Sequence, residues 1–299
     1  MSATRREFNL STLALLGAAA APGAIAALPA TYKRWVLASR PAGEPTVDNF
    51  RLEEVAVPSP GDGQILLKTR YLSLDPYMRG RMAAGDSYAD RVELGEVMVG
   101  GTVAEVVASK NPGFAVGDLV TSFSGWQEYA LSDGAGVMKL DPRIQPISYA
   151  LGVLGMPGLT AYVGLLDIGQ PQAGETVVLA ASTGAVGSVV GQLAKAHGCR
   201  AVGIAGGPEK CDIVTGEYGF DACIDYKAGN LHEGLKAAVP DGIDGLFENV
   251  GGEVFDTSLQ LMNGFGRIAI CGLISGYQGN PIPVNNFRSV LVNRLLVQG

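Results

Sequence analysis

The chain has 299 residues, of which 47% are hydrophobic, so it can bury a large core, and its length predicts two domains. Its formal net charge of -7 and isoelectric point near 4.9 argue against nucleic acid as a partner, because no basic stripe offsets the acidic balance. The four cysteines lie in the second half and form no C-x-x-C pair, which argues against a disulfide framework or a zinc cluster.

The first residues are typical of an export signal. Arg5 and Arg6 precede an uncharged, alanine-rich run that reaches Pro29, and this arrangement resembles a twin-arginine signal. Ala24-Ile25-Ala26 supplies a small-x-small cleavage site. We therefore expect residues 1–28 to be a signal segment, with cleavage after Ala26, and the mature protein to be periplasmic.

The same run is a poor membrane anchor, because it contains Pro22 and Gly23. An alternative to export also fits the sequence. The start codon is then mis-assigned, and the true product is a cytoplasmic protein that begins near Tyr32.

Residues 31–152 have the pattern of a β-rich domain. Short apolar runs such as "GQILLKTRYLSL" and "GGTVAEVVAS" alternate with Gly, Pro and Asp, which is typical of strands joined by tight turns. The segment "NPGFAVGDLVTSF" predicts a turn followed by a further strand.

Residues 153–299 have a different pattern. Short β-branched runs are separated by amphipathic segments of helix length, and this alternation predicts a doubly wound parallel sheet. The predicted strands are "TVVLA", "RAVGIA", "ACIDY", "DGLFENVGG", "GRIAICG" and, at the end of the chain, "NRLLVQG". The sequence therefore indicates an α/β protein with a β domain in front.

The stretch "LAASTGAVGSVVGQLAK" predicts a nucleotide-binding turn. A strand over 176–180, a turn over 181–186 and a helix to His197 would present helix N–H groups to a diphosphate. Gly184 would let the backbone approach the phosphates, and Gly187 would let the helix pack closely on the strand. Ser182 occupies the position of the first glycine of a G-x-G-x-x-G frame, and this leaves the phosphate contact intact.

The residues after the second predicted strand favour NADPH over NADH. Folds that select NADH usually place a carboxylate there, and this chain has Gly206 and Gly207 instead. Lys210 follows and can form a charge-assisted bond to a ribose phosphate. Glu209 beside it neutralises part of that charge, and a solvated surface lysine is the alternative interpretation.

Several longer segments of the sequence resemble those of a known family. The segments "LSLDPYMRGRM", "GWQEYALSD", "GMPGLTAYVGLL", "FENVGGEVFD" and "GRIAICGLISGY" are similar to those of the zinc-independent medium-chain reductases, which include prostaglandin reductases and alkenal double-bond reductases. The resemblance covers almost everything from Lys33 to Gly299. It implies a GroES-like β domain, a Rossmann domain, NADPH as reductant, an activated C=C bond as target and a homodimer.

The resemblance also implies the cofactor-binding residues, position by position. Those for the diphosphate are Gly184, Ala185, Val186 and Gly187, and those for the ribose phosphate are Lys210 and Tyr226. Further cofactor contacts are implied at Asn249, Cys271, Gly272, Leu273, Ile274, Ser275, Gly276 and Tyr277.

The first domain lacks the ligands of a zinc site. Zinc-dependent relatives place a cysteine and a histidine there, whereas the histidines of this chain, His197 and His232, lie in the second half. The corresponding loop reads "LDPYMR", so no metal site is expected. Cys223 and Cys271 are interpreted as small core residues at strand ends.

Two tyrosines are the candidate catalytic residues. Hydride addition to the β-carbon of an unsaturated ketone or aldehyde leaves negative charge on the carbonyl oxygen, which needs hydrogen-bond donors. Tyr77 and Tyr277 are neutral hydrogen-bond donors suited to this role. Water can protonate the resulting enolate in place of a tyrosine. With 10 tyrosines in the chain, a half-buried structural role is the alternative for each.

Two further functions stay open at this stage. A zinc-free hydride site of this kind also suits a quinone reductase. The resembled family continues for several tens of residues beyond "NRLLVQG", and a chain ending at Gly299 would leave an apolar sheet face uncovered. A truncated gene, a fragment or a partner chain would explain this, and the second alternative is a nucleotide-binding protein with weak or no catalysis.

Overall fold

The computed structural model describes residues 28–85 and 89–299. The export signal predicted over 1–28 lies outside the described residues, apart from Leu28. Within the described ranges, no helix has the length and apolar character needed to cross a membrane.

The first domain consists of two antiparallel sheets. Strands β1 (Thr31–Leu37) and β2 (Phe50–Ala56) form a two-stranded sheet. The other strands are β3 (Ile65–Leu72), β4 (Thr102–Ser109), β5 (Leu119–Ser122), β6 (Tyr129–Ser132) and β7 (Met138–Lys139). They form a five-stranded sheet in the order β6-β3-β4-β5-β7. A short helix, α1 (Tyr77–Arg81), follows β3.

The alternation of side chains along β3 builds the core of this domain. Ile65 and Leu67 face one cluster, which includes Val106 and Val120, and Leu66 between them packs with Tyr32 and Tyr129 on the other side. All three β3 side chains are fully buried. The strands predicted by the apolar runs and by "NPGFAVGDLVTSF" are thus confirmed as β3, β4 and β5.

The second domain alternates strands and helices. Its strands are β8 (Thr176–Ala180), β9 (Arg200–Ala205), β10 (Ala222–Asp225), β11 (Ile243–Glu248), β12 (Met262–Ile270) and β13 (Leu296–Gln298). Its helices are α2 (Met156–Tyr162), α3 (Gly187–Ala196), α4 (Pro208–Gly216), α5 (Leu231–Ala238), α6 (Gly252–Gln260) and α7 (Arg288–Val292). A π-helical stretch continues α2 over Val163–Gly169.

The six strands form one parallel sheet in the order β10-β9-β8-β11-β12-β13. Both faces are covered at the central strand β8, since Val178 and Ala180 enter one core cluster and Val177 and Leu179 enter the other, whereas the edge strand β13 is exposed. The predicted α/β fold is confirmed, including the last strand. The order reverses between β8 and β11, and this switch point is where such sheets bind ligands.

The helix predicted after the turn is confirmed as α3. Its buried face carries Val190 and Ala194, with Val186, Val189 and Leu193 packed beside them as the sequence periodicity predicts. Gly198 follows the helix with a φ of +78°, a conformation that favours glycine, and so it ends the helix.

Candidate active site

The turn after β8 lies at the switch point and is fixed by Ser182. This side chain is fully buried, and both its N–H and its Oγ donate to the carbonyl oxygen of Ile204, each at 3.1 Å. Ser182 therefore ties the turn to the end of β9. The serine that replaces a glycine of the standard frame therefore has a structural role. Its hydrogen bonds do not involve the N–H groups at the start of α3.

The two glycines of the turn differ in how tightly they are enclosed. A Cβ at Gly187 would lie 2.4 Å from the carbonyl oxygen of Ala181, whereas a Cβ at Gly184 would lie 3.1 Å from the same atom. Gly187 therefore allows α3 to begin directly against the end of β8. This is the close packing that the sequence predicts for it.

The turn presents unused backbone donors. Within the described part of the chain, the N–H groups of Ala185, Val186 and Gly187 donate no hydrogen bond to a protein oxygen. They stand at the N-terminus of α3, where the helix dipole adds partial positive charge. A diphosphate fits this arrangement because it supplies both the missing acceptors and the negative charge.

Two side chains lie close to Gly206 at the end of β9. A Cβ at Gly206 would lie 2.9 Å from Cε1 of Tyr226 and 3.0 Å from Cε of Lys227. A side chain at 206 would thus require the ends of the Tyr226 and Lys227 side chains to shift. The structure places Tyr226 where the resemblance expects it and adds Lys227, which sequence reasoning missed although it stands next to Tyr226 in "DYKAG".

Lys210 lies nearby in the first turn of α4, where its side chain is exposed. The described contacts do not join it to Tyr226 or Lys227. A single carboxylate holds the segments together, because Oδ1 of Asp225 accepts the N–H groups of Gly207 at 2.7 Å and of Lys227 at 3.0 Å. Two lysines and a tyrosine therefore surround the end of β9, which suits a ribose phosphate.

Asn249 connects the two strands at the switch point. Its Nδ2 donates to the carbonyl oxygen of Ala180 at 3.0 Å, and its own carbonyl oxygen accepts the N–H of Ile274 at 3.2 Å. The ends of β8 and β11 and the loop after β12 are thus held at one place. This is the position at which the resemblance expects cofactor contacts.

The buried carboxyl group of Glu248 supports the same turn. Its Oε1 accepts the N–H groups of Val250 and, at 2.8 Å, of Gly251, while Oε2 has no hydrogen-bond partner among the described residues. Burial raises the pKa of this carboxyl above its usual range, although the hydrogen bonds oppose the shift. Sequence reasoning did not single out Glu248, whose only signal is a carboxylate at the end of an apolar strand.

The loop of residues 271–277 follows β12 and is held against β11. The N–H groups of Cys271 and Gly272 donate to the carbonyl oxygen of Glu248 at 2.9 and 3.1 Å. Ser275 adds two bonds to the carbonyl oxygen of Val250, from its N–H at 3.0 Å and its Oγ at 2.6 Å. The predicted cofactor loop is therefore held beside Asn249 by these hydrogen bonds.

Tyr277 folds back onto this loop. Its hydroxyl oxygen accepts the N–H of Leu273 at 3.4 Å and would lie 3.1 Å from a Cβ at Gly272. The hydroxyl proton remains available for a second acceptor. Tyr277 thus stands in the cofactor loop itself.

The interpretation of Cys271 as a core residue is wrong. Cys271 is exposed, because β12 ends at Ile270 and the following residue lies outside the sheet. It lines an apolar groove beside Phe247 and Gly299, whose walls remove part of the hydration and raise the pKa of the thiol to about 11. Cys223 lies half-buried on β10 beside a core cluster.

Tyr77 lines a large apolar cleft between the first domain and α2 of the second domain. The cleft has a volume of about 760 Å³, and its walls include Phe123, Met138, Met156 and Leu159. The hydroxyl oxygen of Tyr77 is buried. Tyr277 and the glycine turn are not among the lining residues, so the two candidate tyrosines belong to neighbouring parts of the molecule.

An arginine joins these two parts. Nε of Arg79, in α1, donates to Oε1 of Gln278 at 3.1 Å, and the same guanidinium also binds the carbonyl oxygen of Gly43. Since Gln278 follows Tyr277, this bond brings the helix of Tyr77 next to the cofactor loop. Arg79 was not among the predicted residues, and the only signal was its place in "LDPYMRG".

Comparison with known proteins assigns the chain to a family. The family described as "N-terminal domain of oxidoreductase" matches residues 33–140, and that described as "Zinc-binding dehydrogenase" matches residues 185–299. The NADPH-dependent curcumin reductase of Escherichia coli (strain K12) is 54% identical over 89% of this chain and 79% of its own. The chain belongs to the medium-chain reductase family of NADP-dependent alkenal and prostaglandin reductases.

Two further relatives agree with this membership. Prostaglandin reductase 1 of Oryctolagus cuniculus is 45% identical over 89% of this chain and 76% of its own. The crystal structure of CurA in complex with NADPH from Vibrio vulnificus superimposes with a TM-score of 0.85 at 51% identity, over 89% of this chain and 81% of that one. The predicted fold and family are therefore confirmed.

The name of the second family model raises the question of zinc. Among residues 28–85 and 89–299, no group of three or more His, Cys, Asp or Glu is arranged to hold a metal ion. The sequence places no cysteine or histidine before His197. Independence from zinc remains a prediction.

Proposed function

We propose that this reductase uses NADPH to reduce the activated C=C bond of α,β-unsaturated ketones or aldehydes. Membership of an NADP-dependent family supports the cofactor, and a relative of the same fold binds NADPH. The names of the relatives support the substrate class, since they are reductases of curcumin, prostaglandins and 2-alkenals.

One observation carries the proposal. The helix N-terminus of α3 offers three unused N–H groups at the switch point of the sheet, and the cofactor loop beside it contacts the helix of Tyr77 through Arg79. NADPH, when bound, supplies the hydride. The apolar lining of the cleft beside Tyr77 suits a substrate with an extended hydrocarbon or aromatic part.

The protein's own residues then have distinct tasks. The turn 184–187 binds the diphosphate, while Lys210, Tyr226 and Lys227 select the ribose phosphate. Asn249 and the loop 271–277 fix the position of the nicotinamide end. Tyr77 and Tyr277 donate hydrogen bonds to the substrate carbonyl oxygen as negative charge develops on it.

NADPH oxidation by the 299-residue chain tests the proposal, with enones, alkenals and quinones assayed at equal concentrations and NADH as the cofactor control. We expect turnover of enones or alkenals with NADPH. A preference for quinones would assign the alternative reaction. NADPH binding without turnover of any class would instead identify a nucleotide-binding protein of weak catalysis.

Tyr77→Phe and Tyr277→Phe distinguish a hydrogen-bonding role of each tyrosine from a structural role. Each variant removes one hydroxyl and keeps the ring, so kcat should fall by about tenfold or more for a donor, while NADPH affinity stays unchanged in Tyr77→Phe, which lies outside the cofactor loop. Unchanged kcat in both variants would leave the carbonyl to other donors and contradict this part of the proposal.

A further inference from the structure

Two cysteines of the second domain lie in direct contact. The thiol of Cys223, on β10, is 2.6 Å from Sγ of Cys211, on α4. The residues are 12 positions apart in the chain. Since a disulfide bond measures about 2.05 Å, the two sulfur atoms need to approach by only about half an ångström.

The surroundings of the pair explain how it would react. Cys211 lies in the first part of α4 and is partly exposed, so a small oxidant can reach its thiol. Cys223 is more enclosed and touches the Ser182 hydroxyl, and its burial raises the pKa of its thiol. Cys211 is therefore the thiol that reacts first, and Cys223 the one that closes the bond.

We propose that Cys211 and Cys223 are a redox-active dithiol that closes to a reversible disulfide between α4 and β10. The oxidant is a small-molecule disulfide such as oxidised glutathione. Cys211 attacks it and releases one reduced thiol, and Cys223 then displaces the second. Two S–H bonds and the S–S bond of the oxidant break, one protein S–S bond forms, and two electrons and two protons pass to the oxidant.

The other two cysteines are not arranged for this chemistry. Sγ of Cys199 is buried and donates to the carbonyl oxygen of Gln172 at 3.3 Å, and Cys271 stands in the groove beside Gly299. No described contact joins either of them to another thiol. The pair is thus a specific modification site of the second domain.

The bond would stabilise the segments that carry Lys210 and Tyr226. Lys210 precedes Cys211, and Tyr226 follows β10, so the disulfide would hold both in their present positions. Because the sulfur atoms are already in contact, closure leaves the backbone in place. We expect the melting temperature to rise on the order of 5 °C, and NADPH affinity to stay within about threefold of the reduced protein.

The experiment compares the full chain before and after equilibration with oxidised glutathione. Free thiols counted in denaturant should fall from four to two. The tryptic peptide 211–227 should be lighter by two hydrogen atoms, and further cleavage after Glu217 should yield two linked fragments. Dithiothreitol should restore the thiols and the original melting temperature.

Three variants control the result. Cys211→Ser and Cys223→Ser should each abolish the rise in melting temperature on oxidation, while Cys199→Ala should keep it. Four free thiols after oxidation, a stable glutathione adduct on Cys211, a bond to Cys199 or Cys271, or a lower melting temperature of the oxidised protein would each overturn the proposal.

Discussion

Lys210, in the first turn of α4, and Lys227, whose side chain borders Gly206, are each expected to bind the ribose phosphate. Losing one charge-assisted bond costs roughly 1.5 to 3 kcal/mol, so Lys210→Ala should weaken NADPH binding by about tenfold to a hundredfold. NADH binding should barely change, because NADH lacks this phosphate. Titration of both cofactors by fluorescence checks this.

Lys227→Ala is expected to act in the same direction, since its side chain borders Gly206. Lys236→Ala, on the exposed face of α5, is the matched control and should leave both affinities unchanged. Equal losses of NADPH and NADH affinity in the Lys210 variant would contradict a phosphate-specific role.

Glycine positions in the second domain differ in the room they leave for a methyl group. Gly187→Ala places Cβ 2.4 Å from the carbonyl oxygen of Ala181, so it should cost roughly 1 to 3 kcal/mol and weaken NADPH binding by displacing the turn. Gly216→Ala, where a Cβ meets nothing within 4 Å, should stabilise by roughly 0.4 to 1 kcal/mol. Urea denaturation measures both free energies of unfolding. A Gly187→Ala variant as stable as wild type would show that the turn shifts to accommodate the methyl group.

At the scale of elements, the junction of β11 with the following turn contains the buried carboxyl of Glu248. Its pKa is raised in the folded protein, so its contribution to stability is fully present below its ordinary pKa of 4.5. Above that pH the unfolded chain releases the proton while the folded protein retains it. Stability is then lost by about 1.4 kcal/mol per pH unit until the folded pKa is passed.

Glu248→Gln tests this sign. The amide keeps the shape and the acceptor for Val250 and Gly251 but does not titrate. The free energy of unfolding of the variant should therefore rise relative to wild type as pH increases above 4.5. A difference that is constant from pH 4 to 8 would show that the carboxyl titrates equally in both states.

The two domains of the whole molecule meet through Arg79 and Gln278, and the first of them contains neither cysteine nor histidine. We therefore expect chelators such as EDTA or phenanthroline to leave activity and melting temperature unchanged. Zinc retained at one equivalent per chain after purification, measured by elemental analysis, would contradict this expectation.

Export concerns the whole molecule as well. Replacing Arg5 and Arg6 by lysine keeps the charge but not the planar, multi-donor guanidinium geometry, so a twin-arginine signal should fail and the protein should stay in the cytoplasm. N-terminal sequencing of natively expressed protein should find a chain that begins at Ala27. An unprocessed cytoplasmic chain starting near Tyr32 would support the mis-assigned start instead.

The sequence by itself determined the fold and the place of the cofactor turn. Periodicity of 2 and of 3.6 residues distinguishes β3 from α3, and the turn over 181–186 follows from the strand and helix on either side. These signals are local, because the residues that carry them are neighbours in the chain. The cofactor preference also followed from a local absence, that of a carboxylate at Gly206.

Only the tertiary structure decided which distant residues meet. Lys227 approaches Gly206, Arg79 bonds to Gln278, and Cys211 touches Cys223 because separate strands and helices pack together. The exposure of Cys271 likewise depends on where β12 ends relative to its neighbours. Contacts of this kind arise from packing between elements, and single-sequence periodicity records only which face of an element is buried, not what lies against it.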